Sequence, residues 1–259
     1  MDILWYAVLA LLLAGYFALE GFDIGAGMLL PVLGGGAGAS GRPGRDRIVA
    51  AMAPFVLANE VWLIAAAGVL FGAFPALEGE VLSGLYWAVV ALLVSWIVRD
   101  AGLWFRRRAG GAAWRAFWDG ALCLGSWGLA VTWGFALAGI AGGLAGPPLG
   151  VLGGLLYAAA VAAVLAHHGR TFASWRGALP GRPPRTGRAL AGSALLAALP
   201  ALGPLLAAAP GVLGHAADPG TLGTLALTVG PFAPLVVAAQ VWVWRTFGST
   251  RATSSTSFF

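Results

Sequence analysis

The chain has 259 residues, of which 59% are hydrophobic and only 10% are charged. Soluble domains carry about 25% charged residues, so there is too little charge here to cover a water-facing surface. The net charge of +5 comes from fifteen basic residues, all arginines, set against ten acids, and their placement explains it without a nucleic-acid partner.

A helix needs roughly 20 apolar residues to cross the hydrocarbon core of a bilayer. Seven segments reach that length, at 3–30, 48–74, 81–105, 117–142, 147–168, 188–213 and 221–246. They predict an all-α polytopic membrane protein, with residues 1–259 forming a single integral membrane domain. The first run lacks a basic leader and continues into Glu20 and Asp23, so it reads as a retained helix rather than a cleaved signal. Gly15, Pro54, Pro200 and Pro204 fall inside spans, where membrane helices tolerate them.

Every arginine falls in an alternate connection or in the last tail. Arg42, Arg45 and Arg47 lie in the first connection, and Arg99, Arg106, Arg107, Arg108 and Arg115 in the third. Arg170, Arg176, Arg182, Arg185 and Arg188 lie in the fifth, and Arg245 and Arg251 in the tail. The connections at 75–80, 143–146 and 214–220 have none and carry Glu78, Glu80 and Asp218 instead. The positive-inside rule then puts the N-terminus outside and the C-terminus in the cytoplasm. Arg106, Arg107 and Arg108 also suit anionic lipid headgroups. Trp5, Trp104, Trp114, Trp118 and Trp175 fall near predicted ends, as interfacial anchors do.

Polar side chains inside spans are costly and usually face a partner or an aqueous path. Glu20 and Asp23 in the first span are spaced i, i+3, on one helical face. Asn59 and Glu60 lie in the second, about 18 Å beyond Arg47 at ~1.5 Å per residue. Gln240 lies in the last span; it and Asn59 are the only Gln and Asn in the chain. Structurally, Glu20 and Asp23 could snorkel or pair with first-connection arginines, whereas Glu60 is too deep for that. Functionally, buried carboxylates pass protons in pumps and oxidases.

Haem sites inside membranes need axial ligands, and the chain has three histidines. His167 and His168 are expected where the fifth helix meets a cytoplasmic loop, and His215 in an outer loop. No two face each other from mid-helix positions, so the chain is not equipped to hold a haem or a metal. Cys123 is alone and forms no intrachain disulfide. Gly21, Gly25 and Gly27, with Asp23 among them, form a small-residue seam suited to close helix packing and a plausible seat for a partner helix. The stretch lacks the strand and lysine of a nucleotide site.

Gly21-Phe22-Asp23-Ile24-Gly25-Ala26-Gly27-Met28-Leu29 resembles the signature of subunit II of cytochrome bd-type quinol oxidases. Asn59-Glu60-Val61-Trp62-Leu63, after Ala53-Pro54, is similar to the family's second-helix motif. Ser83-Gly84-Leu85-Tyr86, Trp114-Arg115-Ala116-Phe117-Trp118-Asp119 and Trp242-Val243-Trp244-Arg245 match in kind. The similarity is strong over about 1–135 and loose beyond. It implies a subunit of a respiratory complex in a prokaryotic plasma membrane that oxidises quinol and reduces dioxygen to water, drawing protons from the cytoplasm. Haem b and haem d would be held by the partner, subunit I, with room for a small accessory subunit and for membrane lipids. Asp23 and Glu60 would be proton-relay carboxylates, with Glu20 a further candidate, while Asn59 and Trp62 would pack or hydrogen-bond within the motif. Two departures stand out. Val56-Leu57-Ala58 replaces the usual Trp-Asp-Gly, removing an aspartate, so the path runs through Glu60 or depends on subunit I. Seven spans replace the family's usual eight, which also bears on the quinone some relatives hold in this subunit. A secondary transporter or channel, or a membrane anchor with purely structural acids, remains the rival reading of the same carboxylates.

Overall fold

The computed structural model of the chain describes residues 1–35, 42–144, 150–179, 181 and 183–248. Among the described residues, seven helices are long and apolar enough to cross a membrane. They are Asp2–Met28, Pro43–Ala73, Tyr86–Phe105, Ala112–Ala141, Gly150–Trp175, Gly187–Gly214 and Pro219–Phe247, called here the first to seventh spans. Short helices follow the first span at Leu30–Leu33 and precede the third at Pro75–Gly84.

The spans fall where apolar runs predict them, but several reach further into the arginine-bearing stretches. The second begins at Pro43 rather than 48, the fourth at Ala112 rather than 117, and the fifth runs to Trp175 rather than 168. Arg45, Arg47, Arg115 and Arg170 are therefore helical, and Arg99 lies well inside the third span. The physical reason is that arginine is a good helix former, so its charge marks a membrane boundary without ending the helix. Connection 145–149, Arg182 and Arg251 lie outside the described residues.

Hydrogen bonds gather the helix ends into two sets. At one end Arg45 of the second span and Arg106, just past the third, both meet Asp119 of the fourth. There too Arg176, just past the fifth span, donates to the Phe247 carbonyl at the end of the seventh (2.5 Å). At the other end Trp5 Nε1 donates to the Leu222 carbonyl (3.2 Å) and Ala217 N to the Ala73 carbonyl (2.9 Å).

Apolar surface gains little by leaving lipid, so spans associate through close packing and hydrogen bonds. The glycine seam does this within the chain. A Cβ on Gly25 would overlap the Leu165 carbonyl, one on Gly169 the backbone of Gly25 and Ala26, and one on Gly27 the Ser126 hydroxyl. Gly21 through Met28 are all buried. The helix the seam receives is thus the chain's own fifth span, with the fourth beside it, and not a partner's. Proline costs are met locally: Pro204 cannot donate to the Pro200 carbonyl, and the Tyr157 hydroxyl donates to it instead (2.7 Å). The seventh span is the most loosely held, with only Leu222, Gln240 and Val243 buried.

Candidate functional site

The polar residues singled out in the first, second and seventh spans converge, and a residue of the third span joins them. Arg99 is 1% exposed, as is Glu20, and Asp23 is fully buried. The Arg99 guanidinium donates from Nη1 to Glu20 Oε1 and from Nη2 to Glu60 Oε1. Its Nε donates to Asp100 Oδ1 (2.9 Å), and Nη2 lies 2.8 Å from the same oxygen. Trp96 Nε1, one turn away, donates to Glu60 Oε1 (2.9 Å). One cation therefore ties together acids of the first, second and third spans. The position of Glu20 against Arg99 replaces the expected pairing with first-connection arginines.

Asp23 belongs to an adjoining chain of hydrogen bonds. Asn59 Nδ2 donates to Asp23 Oδ2 (2.7 Å) and to the Leu19 carbonyl (3.0 Å). Asn59 Oδ1 accepts from Gln240 Nε2 (2.9 Å), and Gln240 Oε1 accepts from Trp62 Nε1 (3.2 Å). Fixing both amides by donors and acceptors on three helices orients the Asn59 donor toward the carboxylate. Glu20 Oε2 and Asp23 Oδ1 are buried and accept no hydrogen bond from any donor among the described residues. Leu57, where the resemblance expects an aspartate, is 57% exposed, in contrast to the buried residues of this cluster.

Sequence reasoning missed Arg99, Trp96 and Asp100. Arg99 was grouped with the third connection although it falls inside the predicted span 81–105, and that placement was the available signal. It also missed a second buried cluster. Arg106 donates from Nε and Nη2 to Asp119 Oδ1 (2.9 and 2.8 Å) and from Nη1 to Asp46 Oδ1 (2.9 Å). Arg45 Nε donates to Asp119 Oδ2 (2.8 Å), and Arg107 and Arg115 lie 3.8 and 3.5 Å from Asp46 Oδ2. Arg106 is completely buried there, which removes it from the three arginines expected to reach lipid headgroups.

His167 and His168 stand differently from expectation because the fifth span is longer, whereas His215 lies in the connection between the sixth and seventh spans. His168 is two turns inside it and buried, with Nε2 3.0 Å from the Ala18 carbonyl and Nδ1 2.8 Å from Ser193 Oγ. Both ring nitrogens are engaged, so His168 pins the first, fifth and sixth spans together and does not fit a haem iron. His215 Nδ1 lies 2.7 Å from the Gly211 carbonyl and Nε2 3.2 Å from Glu80. The Gly211 carbonyl, and then the Glu80 charge, hold the His215 imidazole above its ordinary value of 6.5. Among the described residues no group of three or more His, Cys, Asp or Glu side chains is placed to hold a metal ion.

Comparison with known proteins places the chain in a family. The chain is 37% identical over 123 residues to the Bacillus subtilis (strain 168) cytochrome bd ubiquinol oxidase subunit 2, covering 48% of this chain and 35% of that protein. It is 34% identical over 125 residues to the Escherichia coli (strain K12) cytochrome bd-I ubiquinol oxidase subunit 2, covering 48% and 31%. A probable cytochrome oxidase subunit 2 of Haemophilus influenzae is 31% identical over 141 residues, covering 54% and 36%. These matches span about a third of each relative's length. The family profile described as cytochrome bd terminal oxidase subunit II matches residues 1–213, and the chain belongs to that family.

Proposed function

We propose that this chain works as the haem-free subunit II of a membrane complex that oxidises quinol and reduces dioxygen to water, and that its buried carboxylates relay protons toward the haem-bearing subunit I. The Bacillus subtilis and Escherichia coli relatives carry the name ubiquinol oxidase, which supports the substrate class. Haem b and haem d supply the oxygen chemistry from the partner. The engaged ring nitrogens of His168 support their placement there. The arginine pattern supports an external N-terminus, a cytoplasmic C-terminus and proton uptake from the cytoplasm.

One observation carries the relay. Glu20, Glu60 and Asp100 all meet the single guanidinium of Arg99, and Asp23 lies beside Glu20. Four carboxylates less one cation leave three negative charges unbalanced if every acid is ionised. Burying an uncompensated ion costs several kcal/mol, so the cluster lowers its energy by holding protons. Glu20 Oε2 and Asp23 Oδ1, both without a donor among the described residues, are each satisfied when their carboxyl carries a proton. A site that holds protons in this way, bounded by oriented amides and indoles, can take up and release one as charge shifts in the neighbouring subunit.

The test is oxygen consumption by the intact complex carrying Asp23→Asn or Glu60→Gln. Each substitution removes a proton carrier at constant shape. The expected loss is on the order of a hundredfold, the lower end of what positioned proton transfer supplies. Haem content, read from the dithionite-reduced minus air-oxidised spectrum, should not change. Wild-type consumption in both variants would leave the chain a scaffold. A preparation with no haem signal and no large partner would return the transporter reading.

A further inference from the structure

Beside the buried cluster the outer surface of the third span is indented by a cleft of about 490 Å³. Glu60 of the second span and Trp96 of the third line its deeper part, Asp100 lies a turn further along the third span, and Trp104 and Phe105 flank it near the end of that span. Ile97, Asp100, Ala101, Trp104 and Phe105 recur at i, i+3, i+4, i+7 and i+8, a single helical stripe. On that otherwise apolar stripe Asp100 is the one charged residue, with a side chain 24% exposed.

We infer that this cleft is a water-filled lateral inlet, with Asp100 as the acceptor at its mouth, through which protons enter the buried carboxylates. A carboxylate on the outward-facing stripe of a membrane span is expensive unless water or protein reaches it. Asp100 is five residues from the end of the third span, about 7.5 Å of helix rise, at the end where the arginines collect. That depth is within reach of interfacial water. Glu60, deeper and nearly closed off, is not. Both acids bind the same guanidinium, Asp100 through Nε and Nη2 and Glu60 through Nη2. Arg99 thus holds donor and acceptor beside each other on one guanidinium nitrogen, Nη2. Water gives a proton to the Asp100 carboxylate, the Asp100 carboxyl passes it to Glu60, and from Glu60 it joins the pool at Glu20 and Asp23. Each step moves one proton between oxygens and needs no redox partner. The second span offers no alternative on its own surface nearby, where Leu57, Val61 and Ile64 are exposed and apolar.

The inlet rests on the relay reading, and the experiment separates the two. In the intact complex, Ala101→Cys on a Cys123→Ser background is treated with a charged, membrane-impermeant thiosulfonate, with the Cys123→Ser complex treated identically as control. Oxygen consumption is also followed against pH in Asp100→Asn, Asp100→Glu, Asp23→Asn and Glu60→Gln. The inlet predicts labelling at position 101 that slows turnover. It also predicts that Asp100→Asn loses on the order of tenfold at alkaline pH, where proton supply limits, and less at acid pH, with recovery in Asp100→Glu. An Asp100 that only positioned Arg99 would lower turnover equally across the pH range. That result, or no labelling, alongside a slow Asp23→Asn, overturns the inlet and leaves the relay. A wild-type rate in both Asp23→Asn and Glu60→Gln overturns both.

Discussion

Arg99 and Arg106 are seven residues apart, about two helical turns, and each is the buried centre of a charge cluster, yet the two clusters are built to opposite ends. Around Arg106 the four oxygens of Asp46 and Asp119 all meet guanidinium groups, and cations outnumber acids. Around Arg99 acids outnumber the cation, and two carboxylate oxygens have no donor among the described residues. The oxygens of the first cluster are saturated and leave no place for a mobile proton; the second has more carboxylates than cations, a deficit that protons would fill. A buried ion pair is therefore informative about function only after its oxygens and charges have been counted.

The largest expected effect breaks the saturated cluster. Asp119→Ala leaves Arg45 and Arg106 buried without the carboxylate that both of them meet, and removing one partner of a buried pair costs about 3–5 kcal/mol. The complex should lose assembly yield and thermal stability in detergent, while whatever assembles turns over normally. Arg106→Lys should not restore stability, because an ammonium cannot reproduce the two-sided fork onto Asp119 and Asp46. Normal assembly with slowed turnover would show that the contrast between the clusters is false.

That contrast was only half legible in the amino-acid sequence. The spans were readable because apolar runs of twenty residues have one use in so sparsely charged a chain. Their ends were misjudged at Arg45, Arg115 and Arg170, where a charged residue continues a helix that hydropathy has stopped marking. Asp23, Glu60, Asn59 and Gln240 were readable because polar side chains inside spans are few and costly. Arg99 was not, since an arginine within two turns of a span's end is also what topology demands. What distinguishes it is its partners, 79 and 39 residues away, and such pairings depend on how helices assemble. The glycines of residues 21–27 announced a close crossing but not which helix would come close.

A smaller effect sharpens the description of the proton-deficient cluster. Gln240→Leu removes the bond that ties the seventh span to Asn59 and the acceptor for Trp62. Hydrogen bonds between membrane helices contribute about 0.6 kcal/mol on average and at most about 1.7. Gln240 is one of only three buried residues in its span, so the loss should fall near the upper value. Thermal unfolding of the purified complex measures it. A loss as large as that of Asp119→Ala would mean that the amides, and not the charges, hold the site together.

The smallest effect calibrates both clusters against an ion pair left in water. His215 and Glu80 meet at the arginine-free end, 3.2 Å apart, with side chains 35% and 55% exposed. Because the folded imidazole titrates above 6.5, the stability it contributes is fully present below that value. It is lost as pH rises through the raised one. The difference in thermal stability between wild type and His215→Gln should therefore be greatest on the acid side and vanish on the alkaline side. High salt should shrink it, since exposed pairs are screened. Asp119→Ala should show no such salt dependence, because its partners are shielded from solvent ions. Equal salt sensitivity in the two variants would mean that burial does not separate these ion pairs, and the reading of the Arg106 cluster as a closed structural tie would fall with it.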